Sequence, residues 1–173
     1  MNKKAIVIYK SKTGFTARYA QWISEALDCE RVDFKDRKSV SFENYDTVIF
    51  GSSLRAGLIG GLGWLKKRLP ELSDKRVAVF VTGAGAPGPE QEAALRKNLS
   101  GDEWTQVKTF YMQSGLNYER MGLLDRTMMS TFRKMMKKKE GEDSEVYKMV
   151  AASFDCCDRE RIEPLIQFCG GEK

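Results

Sequence analysis

The chain has 173 residues, of which 42% are apolar, and this is enough for one domain with a sizeable buried core. Lysine and arginine outnumber aspartate and glutamate by 29 to 24, and the resulting net charge of +5 does not by itself select a partner. The sequence contains no histidine, which excludes Ser-His-Asp and Cys-His nucleophile systems. Any chemistry is therefore expected to come from a cofactor.

The sequence predicts neither a secretory leader nor a membrane span. The apolar run at residues 5–9 is too short for a signal peptide, and no stretch approaches the roughly 18 apolar residues of a spanning helix. The four cysteines are Cys29, Cys156, Cys157 and Cys169. They form no CxxC pattern, so no metal site is expected. We expect a cytoplasmic protein with reduced thiols.

Short apolar strands alternate with amphipathic helices along the chain. The predicted strands are residues 5–9, 30–34, 46–51, 76–83 and 105–112, and the predicted helices are residues 15–27, 62–72, 89–99 and 158–170. Pro70 is expected to end the second helix, and Pro164 fits poorly in the last one. Alternating strands and helices indicate βαβ units, for which the common five-stranded order is 2-1-3-4-5. The sequence predicts an α/β fold, a three-layer doubly wound parallel sheet, in a single domain over residues 1–173.

Three corners of such a sheet are candidates for ligand binding, because ligands bind beyond the carboxyl ends of the strands where strand order reverses. The first corner is Ser11, Lys12, Thr13, Gly14, Phe15 and Thr16. Backbone N–H groups at the start of the following helix favour an anion there, and the hydroxyl groups would donate further hydrogen bonds. The same residues suit an ordinary helix N-cap, so the turn alone leaves both interpretations open.

The pattern Ser-x-Thr-Gly-x-Thr after the first strand resembles the FMN phosphate loop of the flavodoxins. The corners at residues 51–57 and 82–88 fall where that family has its second and third flavin loops. The resemblance covers nearly the whole chain and implies FMN, with its phosphate on residues 11–16 and its ring between the other two loops. The implied ring contacts are Ser52, Ser53, Leu54, Arg55, Thr82, Gly83, Ala84, Gly85 and Ala86.

The third corner also contains a GxGxxG pattern, formed by Gly83, Gly85 and Gly88. A dinucleotide fingerprint belongs on the first βα turn and is followed, about 20 residues later, by an acidic residue at the end of a strand. Here the pattern follows the fourth strand, and Asp102 and Glu103 precede a strand. Close approach of the backbone to a flat ring explains these glycines equally well, so no NAD site is expected.

The predicted flavin loops depart from the flavodoxin pattern. Typical flavodoxins are acidic and stack the ring between aromatic side chains, whereas residues 52–58 and 83–89 contain no Trp, Tyr or Phe. A flavin contact by Arg55 would stabilise the anionic reduced flavin, and a solvated loop arginine is the alternative. The missing aromatic side chains also leave open an interaction module that has lost its cofactor.

An insertion of about residues 115–150 separates the last strand from the last helix, and its residues 121–139 are predicted to form an amphipathic helix. Its apolar stripe comprises Met121, Leu124, Met128, Met129, Phe132, Met135 and Met136, and its basic edge comprises Arg126, Arg133, Lys134, Lys137, Lys138 and Lys139. Three interpretations stay open. The helix packs on its own domain, lies on an anionic membrane, or forms an adaptable wall for a bulky apolar substrate.

The segment SGLNYERMGLLDRTMM and the basic residues after it resemble the insertion of the flavodoxin-like protoporphyrinogen oxidases. This resemblance implies that a porphyrinogen is oxidised with FMN and that the electrons pass to a membrane quinone; it assigns no catalytic residue. A diffusible electron carrier with a redox partner protein is the alternative. Peripheral contact with the inner face of the membrane would run through residues 121–139. One basic helix end lacks the dispersed charge of a nucleic-acid surface, so no nucleic-acid partner is expected.

Overall fold

The computed structural model of the chain describes residues 4–170. Its strands are β1 (Ala5–Tyr9), β2 (Glu30–Asp33), β3 (Thr47–Arg55), β4 (Leu58–Ile59), β5 (Arg76–Gly83), β6 (Val107–Gln113), β7 (Gly115–Leu116) and β8 (Phe154–Asp155). Its α-helices are α1 (Phe15–Leu27), α2 (Leu62–Arg68), α3 (Pro89–Asn98), α4 (Glu103–Gln106), α5 (Leu123–Glu140), α6 (Glu145–Ala151) and α7 (Glu163–Gly170). Short 3₁₀ helices cover Phe34–Ser39, Leu69–Leu72, Tyr118–Arg120 and Arg159–Ile162.

The main sheet has the order β2-β1-β3-β5-β6, and all neighbours in this order run parallel. The short strand β4 pairs antiparallel with the end of β3. When only the five parallel strands are counted, this is the predicted order 2-1-3-4-5, so the predicted doubly wound α/β fold is confirmed. Strand order reverses beside β1, and the carboxyl ends of β1, β3 and β5 reach the same edge of the sheet.

Each face of the sheet has its own apolar core, because the inner strands carry apolar side chains on both faces. The core shared with α1 and α7 contains Val7, Tyr19, Ile23, Ile49, Phe80, Met112 and Leu165. The core shared with α2 and α3 contains Ile6, Ile8, Val48, Phe50, Leu65, Val79 and Leu95. Full burial of such a side chain contributes about 1.5–3 kcal/mol, and the two cores produce the three predicted layers.

Strand β3 is longer than predicted, since it continues past Gly51 to Arg55. A turn at Ala56 and Gly57, with φ of 49° and 78°, then returns the chain, so that Leu58 pairs with Arg55. Two consecutive residues with positive φ are what a tight type I′ hairpin requires. The second predicted flavin loop is therefore a hairpin that projects from the edge of the sheet, and the predicted end of the strand was wrong.

The two proline positions are explained by the helix ends. The segment around Pro70 changes from α-helix to 3₁₀ helix after Arg68, as expected for a proline that ends a helix. Pro164 is the second residue of α7. The N–H groups of the first turn have no acceptor within an α-helix, so a proline there removes no hydrogen bond of the helix. The predicted helix over 158–170 is instead a 3₁₀ turn followed by a shorter α-helix.

The insertion leaves the sheet through a narrow neck formed by β7 and β8, which pair antiparallel. At its base, the backbone N–H of Ser114 donates to the carbonyl oxygen of Gly83 at 2.7 Å. The buried Tyr19 of α1 holds both ends of the neck. Its hydroxyl donates to the carbonyl oxygen of Gln113 at 2.6 Å and accepts from the N–H of Asp158 at 3.2 Å.

Beyond the neck, α5 and α6 pack against each other. The structure contains the predicted insertion helix, but its apolar stripe is divided: Met136 is buried, whereas Leu124 and Met135 are 87% and 52% exposed. Helix α6 was not predicted, because a helix of this length depends on tertiary packing for its stability. None of the helices in the described part of the chain combines the length and apolarity that a membrane-spanning helix needs.

Candidate functional site

A cavity of about 410 Å³ lies at the carboxyl edge of the sheet, where the three predicted corners meet. Of the predicted site residues, it is lined by Lys12, Thr13, Phe15, Thr16, Ser53, Leu54, Arg55, Thr82, Gly83, Ala84 and Gly85. Its volume is in the range of about 300–1,000 Å³ that is usual for small-molecule sites. The predicted corners therefore line a common cavity that can accept a ligand.

Four predicted site residues do not line this cavity. The hydroxyl of Ser11 accepts a hydrogen bond from the N–H of Gly14 at 3.2 Å, so both residues shape the first turn. Ser52 is buried within β3, and Ala86 is an exposed residue of the third corner. The assignment of all these residues as flavin contacts stays a prediction.

The first corner has the features of an anion site. Helix α1 begins after Gly14, which has a φ of 99°, and no side chain in residues 4–170 caps its first turn. The ordinary N-cap interpretation is therefore not realised, and the first N–H groups of α1 remain available to an anion. The guanidinium of Arg120, which the sequence did not single out, also approaches this corner.

A buried pair of hydroxyl groups joins the first corner to the third. The Oγ1 atoms of Thr16 and Thr82 are 2.8 Å apart, and both residues are almost fully buried. A hydroxyl has one donor and two acceptor positions, so the hydroxyl that accepts in this pair keeps its own proton for another bond. The pair fixes the two corners relative to each other and leaves one hydroxyl proton available to a ligand.

The third corner is held from behind by β6. The hydroxyl of Tyr111 donates to the carbonyl oxygen of Gly85 at 2.7 Å, and Nε2 of Gln113 donates to that of Ala84 at 3.3 Å. Burial raises the pKa of Tyr111 to about 12, so its hydroxyl stays protonated at neutral pH. A Cβ added to Gly83 would lie 2.6 Å from the Tyr111 hydroxyl, so this glycine is required by a protein contact.

Asp125 of α5 brings a carboxylate to the second corner. It forms an ion pair with Arg55, and its Oδ2 lies 3.8 Å from Nζ of Lys12. The Asp125 side chain is only 14% exposed, so the pair with Arg55 is better shielded from solvent than most surface pairs. The carboxylate of Asp125 compensates the charge of Arg55. A paired Arg55 would stabilise an anionic reduced flavin less than the unpaired arginine that the sequence suggested.

The insertion completes the cavity with an apolar wall. The wall consists of Met121, Met128, Met129 and Phe132 from α5 and the turn before it, and Val146, Met149 and Val150 from α6. Methionine side chains adapt to ligands of irregular shape. The sequence indicated the α5 half of this wall, but not the α6 half.

Comparison with known proteins gives one family and several distant relatives. Residues 6–143 match the model of a family described as Flavodoxin domain. The chain is 25% identical over 145 residues to the protoporphyrinogen IX dehydrogenase (quinone) of Leishmania major, covering 76% of this chain and only 63% of that protein. It is 23% identical over 144 residues to the protein of the same name from Escherichia coli strain K12, covering 76% and 80%. The Trp repressor binding protein from Bacillus subtilis has a similar fold, with a TM-score of 0.50 and 15% identity over 64% of this chain and 84% of that chain.

The family match and the site geometry agree. The matched residues include most of β1, and all of β3, β5, the three corners and α5. The first corner offers backbone and hydroxyl donors, and the cavity has room beside it, so the residues present fit a flavin with a phosphate group. This agreement supports a flavin cofactor and a redox function. From the match over residues 6–143 and from its fold, the chain belongs to the flavodoxin family.

Proposed function

We propose that the protein is an FMN-dependent oxidoreductase that oxidises a porphyrinogen and passes the electrons to a quinone. One observation carries the proposal: the cavity beside the flavin corners continues into the apolar wall of α5 and α6. A carrier that exchanges single electrons needs no enclosed apolar space beside its cofactor, whereas a bulky apolar substrate does. The names of the relatives from Leishmania major and Escherichia coli support the same reaction.

FMN is proposed because the first corner can bind a phosphate group. The free N–H groups at the start of α1 and the hydroxyls of Thr13 and Thr16 would bind its phosphate. Backbone groups of Ser53–Arg55 and Thr82–Gly85, which line the cavity, would hold the ring. When bound, the flavin supplies the electron-accepting chemistry that the side chains of this protein lack.

The remaining residues of the cavity orient the ligands and exclude water. The hydrogen bonds of Tyr111 and Gln113 fix the third corner before any ligand arrives. Met129 and Phe132 present apolar surface, so a macrocycle beside the ring would lose water on binding. Such a preformed site lowers the entropic cost of bringing substrate and cofactor together.

The experiment measures porphyrin formation by fluorescence under anaerobic conditions, with FMN-loaded protein, protoporphyrinogen IX and a water-soluble quinone. We expect porphyrin to form only when both FMN and quinone are present. Met129→Ala should lower kcat/KM on the order of 10-fold, because it removes apolar contacts with the substrate. Met135→Ala is the matched control, since this methionine lies on the same helix but outside the cavity lining.

Two results would count against the proposal. A protein that binds FMN but forms no porphyrin, while its reduced form transfers electrons to cytochrome c, would be an electron carrier. A protein with no flavin absorption bands and no affinity for added FMN would be an interaction module without cofactor.

A further inference from the structure

Arg120, in the insertion, reaches the first corner of the sheet. Gly14 precedes α1 in the left-handed conformation, and a Cβ added to it would lie 2.6 Å from Nη1 and 3.8 Å from Cζ of Arg120. The guanidinium therefore occupies the space that a side chain at position 14 would fill. Two segments that are far apart in the sequence meet at the predicted phosphate site.

The turn that carries Arg120 is fixed by hydrogen bonds from three directions. The Asn117 side chain accepts from the N–H of Arg120 at 3.1 Å. The Nε atom of Arg126 donates to the carbonyl oxygen of Tyr118 at 3.0 Å, and the N–H of Tyr118 donates to the hydroxyl of Ser153 at 3.0 Å. These bonds use backbone groups of the turn and leave the Arg120 guanidinium for another partner.

The charges around the cavity favour an additional cation. Lys12 and Arg55 lie beside Asp125, and Glu90 adds a second carboxylate to the lining, so these four charges cancel. A phosphate monoester carries a charge of about −1.5 to −2 at neutral pH. In the described part of the chain, the Arg120 guanidinium has no ion pair and no hydrogen bond, so its charge is available to an anion.

We propose that Arg120 binds the phosphate of the flavin and selects FMN over riboflavin, which has the same ring and no phosphate. The inference rests on the proposed FMN cofactor and assigns the insertion a part in holding it. A guanidinium presents N–H donors in a planar fork that matches two phosphate oxygens, which an ammonium group cannot do. The insertion then contributes both to the cofactor site and to the substrate wall.

The test compares the affinities of FMN and riboflavin for the apoprotein by quenching of flavin fluorescence. Arg120→Ala is expected to weaken FMN binding about 10- to 100-fold, as for the loss of a hydrogen bond between charged groups, and to leave riboflavin binding unchanged. Arg120→Lys should restore part of the FMN affinity. Lys134→Ala, which removes one positive charge from the exposed side of α5, should leave both affinities unchanged.

Equal weakening of FMN and riboflavin, or undiminished FMN binding, would overturn the role of Arg120. Absence of flavin binding by the unaltered protein would overturn the proposed cofactor instead, so the two failures are distinguishable. Hydrogen exchange on the unaltered protein gives a second measurement that does not depend on how the variant folds. Amides of residues 117–126 should exchange more slowly with FMN bound than with riboflavin bound, and equal rates would overturn the proposal.

Discussion

The hydroxyls of Thr16 and Thr82 form a buried pair that should contribute to the stability of the protein. Each is the partner of the other in a buried hydrogen bond. Thr16→Val should therefore lower the free energy of unfolding of the apoprotein by about 1–3 kcal/mol, because the Thr82 hydroxyl is left buried without a partner. Thr82→Val should have a similar effect, measured as the urea midpoint of each variant.

The double variant, with Thr16→Val and Thr82→Val together, separates the energy of the hydrogen bond between the two hydroxyls from the other effects of each substitution. With both hydroxyls replaced by methyl groups, no unpaired polar group remains, so the loss should be smaller than the sum of the two single losses. Thr127→Val is the control and should lower the free energy of unfolding less. The Thr127 hydroxyl donates to the carbonyl oxygen of Leu123 at an exposed position, where water can replace the lost group. Additive losses would show that the two hydroxyls do not depend on each other.

At the residue scale, the sequence identified the groups that follow the strands and missed those that arrive from elsewhere. Thr13, Thr16 and Arg55 were expected at the carboxyl edge because that edge of a doubly wound sheet can be located from strand order, and all three line the cavity. Asp125 and Arg120 were not found, because their position depends on how the insertion folds back on the sheet. No local pattern in a sequence determines such a long-range contact.

At the element scale, all five parallel strands were predicted, and four of them lie within two residues of their observed bounds, whereas β3 runs four residues further than predicted. The elements that were missed are short: β4, β7, β8, α4 and α6. Elements of this size have little intrinsic stability and exist because of their tertiary contacts. The hairpin after Arg55 is an example, since Ala56 gives no sequence signal for the positive φ that it adopts.

Helix α5 carries exposed apolar side chains at its start and exposed lysines towards its end, and we propose that it contacts an anionic membrane. Leu123 and Leu124 are 84% and 87% exposed, and Lys134 and Lys138 are exposed further along the helix. The protein should sediment with phosphatidylglycerol vesicles at low salt and less at high salt, because salt screens the lysine charges. Lys134→Ala together with Lys138→Ala should weaken this binding about 30-fold, at about 1 kcal/mol per lysine.

The control removes the same charge elsewhere on the protein. Lys35→Ala together with Lys97→Ala, both at exposed positions, should weaken vesicle binding less than the α5 pair. Equal effects of the two pairs would mean that net charge, and not α5, attracts the protein to vesicles. No sedimentation with vesicles at low salt would refute the membrane contact.

At the scale of the whole molecule, Tyr19 connects parts that sequence patterns treat separately. It is buried in the core between the sheet and α7, and its hydroxyl holds both ends of the insertion neck. The sequence predicted the two-faced sheet because continuous apolar strands require cover on both sides. It could not predict that a core tyrosine of α1 would also anchor the insertion, since that link joins groups distant in the chain.

The buried tyrosines should make the whole molecule sensitive to alkali. Burial raises the pKa of Tyr19 and of Tyr111 to about 12, from an ordinary value of 10.0. The unfolded chain therefore loses these protons at lower pH than the folded protein does. Their contribution to stability is complete below pH 10 and is lost as pH rises from 10 towards 12.

Urea midpoints measured across this range should fall, and Tyr19→Phe, although less stable at neutral pH, should show a shallower fall. If the urea midpoint of Tyr19→Phe fell with pH as steeply as that of the unaltered protein, other groups would control the alkaline transition. The same would follow if the midpoint finished falling below pH 10.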